Sequence, residues 1–157
     1  MRVLGCDPGK VGAIALIDGL SLLRVFDMPV TALKKGTTLD AHTLNGLVCE
    51  MLNDCGPVDL AVIERVHSTP QMGVSSAFDF GRSFGLVEMA LIARGIRIEY
   101  ITPQRWKAAL GLTADKSSSL ALARAKWPDA EEWFRRKKDE GRAEAALIAE
   151  YGRRSSL

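Results

Sequence analysis

Residues 2–17 read RVLGCDPGKVGAIALI and predict the start of a β-sheet. The apolar run at 2–6 favours a strand, and the Asp-Pro-Gly sequence after it favours a turn. Residues 12–17 are apolar again, and a second turn signal precedes a third apolar run at 22–26. We therefore predict three strands joined as an antiparallel meander.

Beyond the meander, helical and strand patterns alternate along the chain. Residues 28–38 contain proline, glycine and two lysines and favour a loop. Asp40 is a favoured N-cap residue, and the apolar spacing after it predicts a helix over 41–52. The later segments predict strands at 60–63 and 96–101, and helices at 74–94, 102–110, 115–126 and from 141 or earlier to 151. This order predicts one α/β domain over residues 1–157, in which helices flank a mixed five-stranded sheet.

The composition is that of an ordinary globular chain. Of its 157 residues, 47% are hydrophobic and 25% are charged, which is typical of a single globular domain. No apolar run approaches the roughly 20 residues that a membrane-spanning helix needs. The acidic residue Asp7 comes too early for a secretory signal. We therefore expect a cytoplasmic protein with no membrane partner.

Cysteine and histidine are too few and too scattered for a zinc site. The three cysteines have no metal-ligand spacing, and the chain has two histidines. Cys6 lies in an apolar run and Cys49 in a helical pattern, so both are predicted to be small core residues.

Two acidic residues end apolar strands. Asp7 follows the first predicted strand, and Glu64 follows the apolar run at 60–63. An acid at a strand end is usually solvated, so either residue alone could simply face water. If the two strands are neighbours in one sheet, the carboxylates lie roughly 5–10 Å apart. Carboxylates held that close repel each other unless a divalent cation neutralises them.

Two more acids lie on the last predicted helix. Glu140 and Glu144 are spaced i and i+4, so they project from one helix face. An acidic surface patch, offset by Lys137 and Arg142, is the alternative. The alanines around Glu144 favour a functional role, because small residues let the helix approach the sheet closely. Oxygen ligands suit Mg²⁺ or Mn²⁺, and two such ions can activate water and stabilise the leaving oxygen of a phosphodiester.

Basic residues are concentrated in the last quarter of the chain, although the net charge is only +2. Such a cluster usually forms a solvated face. Acidic metal-ligand candidates among the same residues make it a candidate phosphate-binding surface. The cluster consists of Arg135, Arg136, Lys137, Lys138, Arg142, Arg153 and Arg154, with Arg105, Lys107 and Lys116 preceding it.

Five motifs, in their order and spacing, resemble the RuvC family of Holliday-junction resolvases within the ribonuclease-H-like nucleases, and more closely its phage-type members. They are GCDPG at 5–9, AVIE at 61–64, SAFDFGRSFG at 76–85, TPQRWK at 102–107 and GRAEA at 141–145. The resemblance covers nearly the whole chain and implies a ribonuclease-H-like fold. It also implies a homodimer that grips a four-way DNA junction and nicks two opposed strands. Each active site is expected to hold two Mg²⁺ ions, for which Mn²⁺ can substitute.

The resemblance also implies the catalytic, metal-binding acids. Three of them match directly: Asp7, Glu64 and Glu144. The spacing of the family places the fourth acid at Gly141, which cannot bind a metal, so Glu140 or Asp139 must substitute. We favour Glu140, because it shares a helix face with Glu144.

Several DNA contacts follow from the same resemblance. Lys116 stands at a predicted helix start, where a basic residue meets the scissile phosphate, so it is also a catalytic candidate. His67 stands where family members often place an aromatic wedge for the junction centre, with an ordinary loop histidine as the alternative of equal weight. The other predicted DNA contacts are Arg82, Arg105, Lys107, Lys137, Lys138 and Arg142.

Two other functions stay open at this point. One is a broader phage nuclease that cuts forks and flaps, and the other is a non-catalytic scaffold that binds junctions through the basic cluster. The helix at 74–94 is the predicted dimer surface. Packing is the predicted role of three tryptophans, Trp106, Trp127 and Trp133.

Overall fold

The computed structural model describes residues 1–65, 71–113 and 116–156. Its strands are β1 (Arg2–Cys6), β2 (Ala13–Asp18), β3 (Ser21–Asp27), β4 (Val30–Ala32), β5 (Thr37–Leu39), β6 (Leu60–Glu64) and β7 (Ile98–Ile101). Five of them form a mixed sheet in the order β3-β2-β1-β6-β7, with β1, β6 and β7 parallel and the meander antiparallel. The predicted five-stranded mixed sheet is confirmed.

Helices cover both faces of this sheet. They are α1 (Ala41–Cys55), α2 (Val74–Ile92), α3 (Pro103–Ala109), α4 (Lys116–Lys126) and α5 (Glu140–Ser155), with 3-10 helices at Pro128–Phe134 and Lys137–Asp139. α1 and α2 pack on the face that carries Leu4 and Ile63. α3, α4 and α5 pack on the face that carries Val3 and Val62. None of the described helices is both long and apolar enough to cross a membrane.

Capping residues explain several of the helix boundaries. Asp40 accepts hydrogen bonds from the backbone N–H groups of His42 and Thr43, as its N-cap position predicts. Gly95 follows α2 with φ +67°, a conformation that glycine adopts without strain. Thr102 precedes Pro103 at the start of α3, but its side chain makes no capping hydrogen bond.

Two predictions about local structure are wrong. The segment 28–38 is not a plain loop, because β4 and β5 pair in it as a short hairpin. Strands of three residues are too short to show alternation, so proline and lysine dominated the pattern. Cys49 is exposed rather than part of the core, whereas Cys6 is buried as predicted.

Candidate active site

Asp7 and Glu64 lie at neighbouring strand ends on the carboxyl edge of the sheet. β1 and β6 pair in parallel with Cys6 opposite Ile63, and continuing this register by one residue sets Asp7 opposite Glu64. Side chains alternate along a strand, so both acids fall on the face that α5 covers. The structure thus brings the two strand-end acids together.

Hydrogen bonds to the Asp7 side chain and between backbone groups hold the turn after β1. The N–H of Gly9 donates to Oδ1 of Asp7 at 3.1 Å. The N–H of Gly12 donates to the carbonyl oxygen of Gly9 at 2.9 Å, and that of Asp7 to the carbonyl oxygen of Ala13 at 3.0 Å. These bonds fix the place of the Asp7 carboxylate at the start of the turn.

α5 reaches this corner because two glycines let its backbone approach. A Cβ atom on Gly5 would lie 2.1 Å from the carbonyl oxygen of Ala145, and one on Gly141 would lie 2.3 Å from that of Val11. No side chain fits at either place without displacement of backbone. Gly141, at the position where the family spacing places an acid, is therefore a packing residue that brings Glu144 to the sheet.

A cleft of ≈ 290 Å³ opens between the turn and the start of α5. Glu144 lines it and pairs with Lys107, with 2.7 Å between Nζ and Oε1. Both side chains are largely buried, at 15% and 19% exposure. The hydroxyl of Ser119 is a weaker neighbour, 3.5 Å from the same oxygen. The cleft is lined by Asp7, Val11, Lys138, Glu140, Gly141 and Glu144.

Glu64 is a nearly buried carboxyl group with acidic neighbours. It is 6% exposed, and its Oε1 accepts a hydrogen bond from Nε1 of Trp106 at 2.7 Å. Burial raises the pKa of Glu64, and the negative charges of Asp7 and Glu144 raise it further. The Trp106 hydrogen bond and Lys107 oppose these effects, and the resulting pKa is about 7. A bound cation would favour the ionised form of this group.

The two candidates for the fourth acid have different surroundings. Glu140 lines the cleft. Asp139 is 2% exposed and accepts hydrogen bonds from the backbone N–H and the guanidinium of Arg136, at 2.7 and 2.8 Å. Although burial opposes ionisation, these bonds hold the pKa of Asp139 below its usual value. Asp139 thus serves a capping box at the 3-10 helix before α5.

The donor set fits a hard divalent cation in its chemistry. Carboxylate oxygens are the ligands that Mg²⁺ prefers. A buried carboxylate such as that of Glu64 also needs a neighbouring positive charge to be stable in its ionised form. Within residues 1–65, 71–113 and 116–156, however, no three His, Cys, Asp or Glu side chains are gathered as a metal centre. Glu144 contacts the ammonium group of Lys107 instead.

Three of the predicted DNA contacts, Arg105, Lys137 and Lys138, are exposed, and Lys138 lines the cleft. Lys107 is engaged by Glu144. His67 and the side chain of Lys116 lie outside the described residues.

Four other basic residues are engaged within the chain. Arg82 donates to the Thr38 hydroxyl at 2.8 Å. Arg142 forms a two-bond ion pair with Asp27, at 2.6 and 2.7 Å, which ties the end of β3 to α5. Arg153 and Arg154, placed by the sequence in a phosphate-binding cluster, instead pair with the fully buried Glu150. Their i+3 and i+4 spacing from Glu150 explains this contact.

Trp106 is the site residue that the sequence reasoning missed. It is fully buried, as a packing role predicts, yet its indole N–H contacts an acid of the site. The available signal was its place beside Lys107, since these two consecutive residues of α3 contact Glu64 and Glu144.

Comparisons with known proteins find relatives among the Holliday junction resolvases. No protein-family model matches the chain. The chain is 32% identical over 129 residues to crossover junction endodeoxyribonuclease RuvC of Mycobacterium ulcerans, covering 78% of this chain and 68% of that protein. The RuvC protein of Mycobacterium marinum matches equally. The chloroplastic Holliday junction resolvase MOC1 of Chlamydomonas reinhardtii gives a shorter match, 44% identical over 61 residues. This match covers 38% of this chain and 7% of that protein.

Solved structures show the same fold. Thermus thermophilus RuvC in complex with a Holliday junction substrate superposes with a TM-score of 0.69 at 19% identity, covering 99% of this chain and 96% of that one. The yeast mitochondrial Holliday junction resolvase Ydc2 superposes with a TM-score of 0.53 at 11% identity, covering 95% and 76%. These likenesses confirm the ribonuclease-H-like fold. Together with the identity to the mycobacterial proteins, they show that the chain belongs to the RuvC family of crossover junction endodeoxyribonucleases.

Proposed function

We propose that this chain is a metal-dependent endonuclease that resolves Holliday junctions by nicking two opposed strands. The observation that carries the proposal is that Asp7 stands opposite Glu64 at the edge of the sheet, with Glu144 near enough to act on the charge of Glu64, beside a cleft and exposed basic residues. Clustered oxygen ligands next to a basic surface suit the hydrolysis of a phosphodiester. The names of the relatives, which include crossover junction endodeoxyribonuclease RuvC and a Holliday junction resolvase, support the choice of substrate.

The cofactor that we propose is a pair of Mg²⁺ ions, with Mn²⁺ as a substitute. The residues proposed to hold it are Asp7, Glu64, Glu140 and Glu144. When bound, the two ions supply an activated water and stabilise the leaving oxygen. Glu140 is preferred to Asp139, because Glu140 lines the cleft while Arg136 engages Asp139. To hold a metal ion, Glu144 would release Lys107, and the ammonium group of Lys107 would then be available for a phosphate beside the cleft.

The DNA interface that we propose comprises Lys138, which lines the cleft, together with the exposed residues Lys137 and Arg105. Lys116 and His67 join it on the family resemblance alone, with Lys116 at the scissile phosphate. Arg82 and Arg142 leave the set, because hydrogen bonds within the chain occupy them.

The salt dependence of junction binding tests this interface. Each phosphate contact contributes about 0.9 to the slope of log K against log salt concentration. Lys138→Gln should therefore flatten the slope by about that amount. Arg24→Gln is the matched control, because Arg24 is exposed and pairs with Asp54 of α1. Equal slopes for wild type and Lys138→Gln would exclude Lys138 from the interface.

The dimer that we propose is formed through α2. One stripe of this helix exposes Phe78 by 75%, Met89 by 56% and Ile92 by 51%. Between them lie Gly81 and Gly85, where an added Cβ would meet nothing within 4 Å. An exposed apolar stripe with room for close approach suits a second helix. Phe78→Asp should shift the sedimentation coefficient from dimer to monomer, whereas Leu20→Asp, on another exposed surface, should not.

Cleavage of a labelled four-way junction tests the activity itself. In the presence of Mg²⁺, Asp7→Asn should slow cleavage roughly 100-fold or more, because a metal ligand loses its charge. Junction binding should persist. Glu50→Gln, on the exposed surface of α1, is the matched control and should cut at the wild-type rate.

The same gel separates the remaining alternatives. A wild-type protein that leaves the junction uncut with Mg²⁺ and Mn²⁺ would be a junction-binding scaffold. Equal cleavage of junctions, forks and flaps would indicate a broader nuclease for branched DNA. Wild-type rates for Asp7→Asn would contradict the metal site.

A further inference from the structure

Trp106 links the packed core to the acidic corner, by which we mean Asp7, Glu64 and Glu144. Its side chain is fully buried, and its indole Nε1 lies 2.7 Å from Oε1 of Glu64. A buried indole N–H needs an acceptor, but a neutral one is enough. Trp127 shows this, because its indole donates to the backbone carbonyl of Leu20 at 2.9 Å. Trp106 instead donates to a carboxylate of the proposed metal site.

This hydrogen bond restricts how the Glu64 carboxylate can turn. The terminal torsion of a glutamate side chain is broad and roughly two-fold, so an unheld carboxylate samples many orientations. A donor on Oε1 selects one of them and thereby sets the place of Oε2. The donor is itself fixed, because Trp106 packs in the core between the sheet and α5.

Lys107 extends the same arrangement to a second acid. Its ammonium group lies 5.1 Å from the centroid of the Trp106 ring and 2.7 Å from Oε1 of Glu144. Two consecutive residues of α3 therefore hold one acid from β6 and one from α5. The two donors differ in an important way: Lys107 is a cation that a metal can replace, whereas the indole N–H can keep its bond beside a bound metal.

We propose that Trp106 is a positioning residue, which orients Glu64 for a divalent cation and keeps its hydrogen bond when the cation binds. This inference rests on the proposed function, since it takes Glu64 to be a ligand. Loss of a hydrogen-bonding partner of a metal ligand typically lowers metal affinity roughly 10–100-fold.

The affinity for Mn²⁺, measured by calorimetry, provides the first test. Trp106→Phe keeps an aromatic ring in the core but removes the donor, and it should weaken Mn²⁺ binding roughly 10–100-fold. Trp127→Phe removes a comparable indole that donates to a carbonyl, and it should bind Mn²⁺ as the wild type does.

Nuclear magnetic resonance of the indole N–H groups gives a test that needs no variant of the core. The chain has three tryptophans and so three indole signals. During a Mg²⁺ titration of the wild type, the Trp106 signal should shift along a saturating curve while the Trp127 signal stays in place. In Glu64→Gln, the Trp106 signal should lose this response, because the amide can accept the hydrogen bond but binds the ion poorly.

The outcomes separate this inference from the proposed function. If the wild type binds no Mn²⁺ or Mg²⁺, both are overturned. If the wild type binds the metal but Trp106→Phe binds it equally well, or the Trp106 signal does not respond, the positioning role alone is overturned. Should Trp106→Phe fail to fold, the titration of the wild type still decides the matter.

Discussion

Two nearly buried glutamates beside α5 have opposite electrostatic surroundings. Glu150, near the carboxyl end of the helix, is fully buried and has three basic partners: Lys126, Arg153 and Arg154. Burial raises its pKa, but the bonds from these partners outweigh burial and hold the pKa at about 2. Glu64, near the amino end of the helix, is 6% exposed, has acidic neighbours and has a pKa of about 7.

The difference teaches how to tell a structural carboxylate from a ligand. Around Glu150 the chain supplies the positive charge that a buried carboxylate needs, so the ionised form is stable without help. Around Glu64 the chain places the negative charges of Asp7 and Glu144, which destabilise the ionised form of Glu64 unless a cation is bound. Buried acids that lie close together therefore favour a cation-binding site at the amino end of α5. At the carboxyl end, the surplus of basic partners favours a structural role, and we call Glu150 with Lys126, Arg153 and Arg154 the clamp.

The largest expected effect comes from Glu150→Gln, which removes the charge from the clamp. We expect the free energy of unfolding to fall by about 3–5 kcal/mol, because Lys126 and Arg153 remain largely buried without a counter-charge. Urea unfolding at pH 7.5 measures it. Arg154→Gln is the control, and its 53% exposed side chain should cost less than about 1 kcal/mol. A loss below about 1 kcal/mol for Glu150→Gln would mean that water already screens the clamp.

The opposite sign is expected for Glu64→Gln in EDTA at pH 8. The pKa of Glu64 lies near 7 in the folded protein against an ordinary 4.5, so the folded state keeps a proton that the unfolded state has released. Stability from this group is therefore full below pH 4.5 and declines as the pH rises to 7. At about 1.4 kcal/mol for each factor of ten, roughly 3 kcal/mol is the upper limit, and we expect a gain of about 1–3 kcal/mol in Glu64→Gln.

The pH dependence of unfolding checks the assignment of this effect. Wild type should lose stability between pH 4.5 and 7 in EDTA, and Glu64→Gln should lose less over the same range. Parallel curves for the two proteins would show that another group titrates.

The acidic corner was more predictable from sequence than the clamp. Asp7 and Glu64 each follow an apolar run, and this local pattern places both at strand ends. Arg153 and Arg154 follow Glu150 at the i+3 and i+4 spacings that favour ion pairs on a helix. Because many other basic residues surround them in the sequence, the segment indicates a phosphate-binding face instead. Lys126 joins them through the packing of α4 on α5, which no local pattern encodes.

Other features depended on contacts between distant segments. The sequence shows that Gly141 cannot bind a metal, but it does not show why glycine is needed there. The cause is the backbone of Val11, which lies in a turn far away in sequence and leaves no room for a Cβ atom. The indole bond of Trp106 to Glu64 joins residues 42 positions apart. Periodicity reports which face of an element is apolar, and it carries no information about such pairs.

Substitution of the glycines near the two ends of α5 should have a smaller effect on stability, and it should distinguish the metal site from the rest of the fold. A Cβ at Gly141 would meet the backbone of Val11 at 2.3 Å, and one at Gly152 would meet a side-chain methyl of Val62 at 2.5 Å. Gly141→Ala and Gly152→Ala should each lower the free energy of unfolding by about 1–3 kcal/mol, as overpacking does.

Metal affinity should distinguish these two substitutions. Gly141→Ala pushes α5 away from the turn that begins at Asp7, so it should weaken Mn²⁺ binding in calorimetry, while Gly152→Ala should leave it unchanged. Gly46→Ala, on α1 with open space around it, is the control for the alanine itself and should be neutral or slightly stabilising. Equal Mn²⁺ affinity in all three variants would show that the corner tolerates a shift of the helix.

The smallest expected effect compares the two lysines that contact these acids. Lys107 lies 2.7 Å from Glu144 and Lys126 lies 2.8 Å from Glu150, and both lysine side chains are 19% exposed. Lys107→Met and Lys126→Met should each lower the free energy of unfolding by about 1 kcal/mol in EDTA, since each removes one partner of a partly buried pair.

Saturating Mg²⁺ should restore the stability of Lys107→Met, because the ion replaces the lost charge where the acids cluster. It should not restore Lys126→Met, since Glu150 keeps its arginines and needs no further cation. Recovery of both variants, or of neither, in urea unfolding with and without Mg²⁺ would remove the distinction between ligand and clamp.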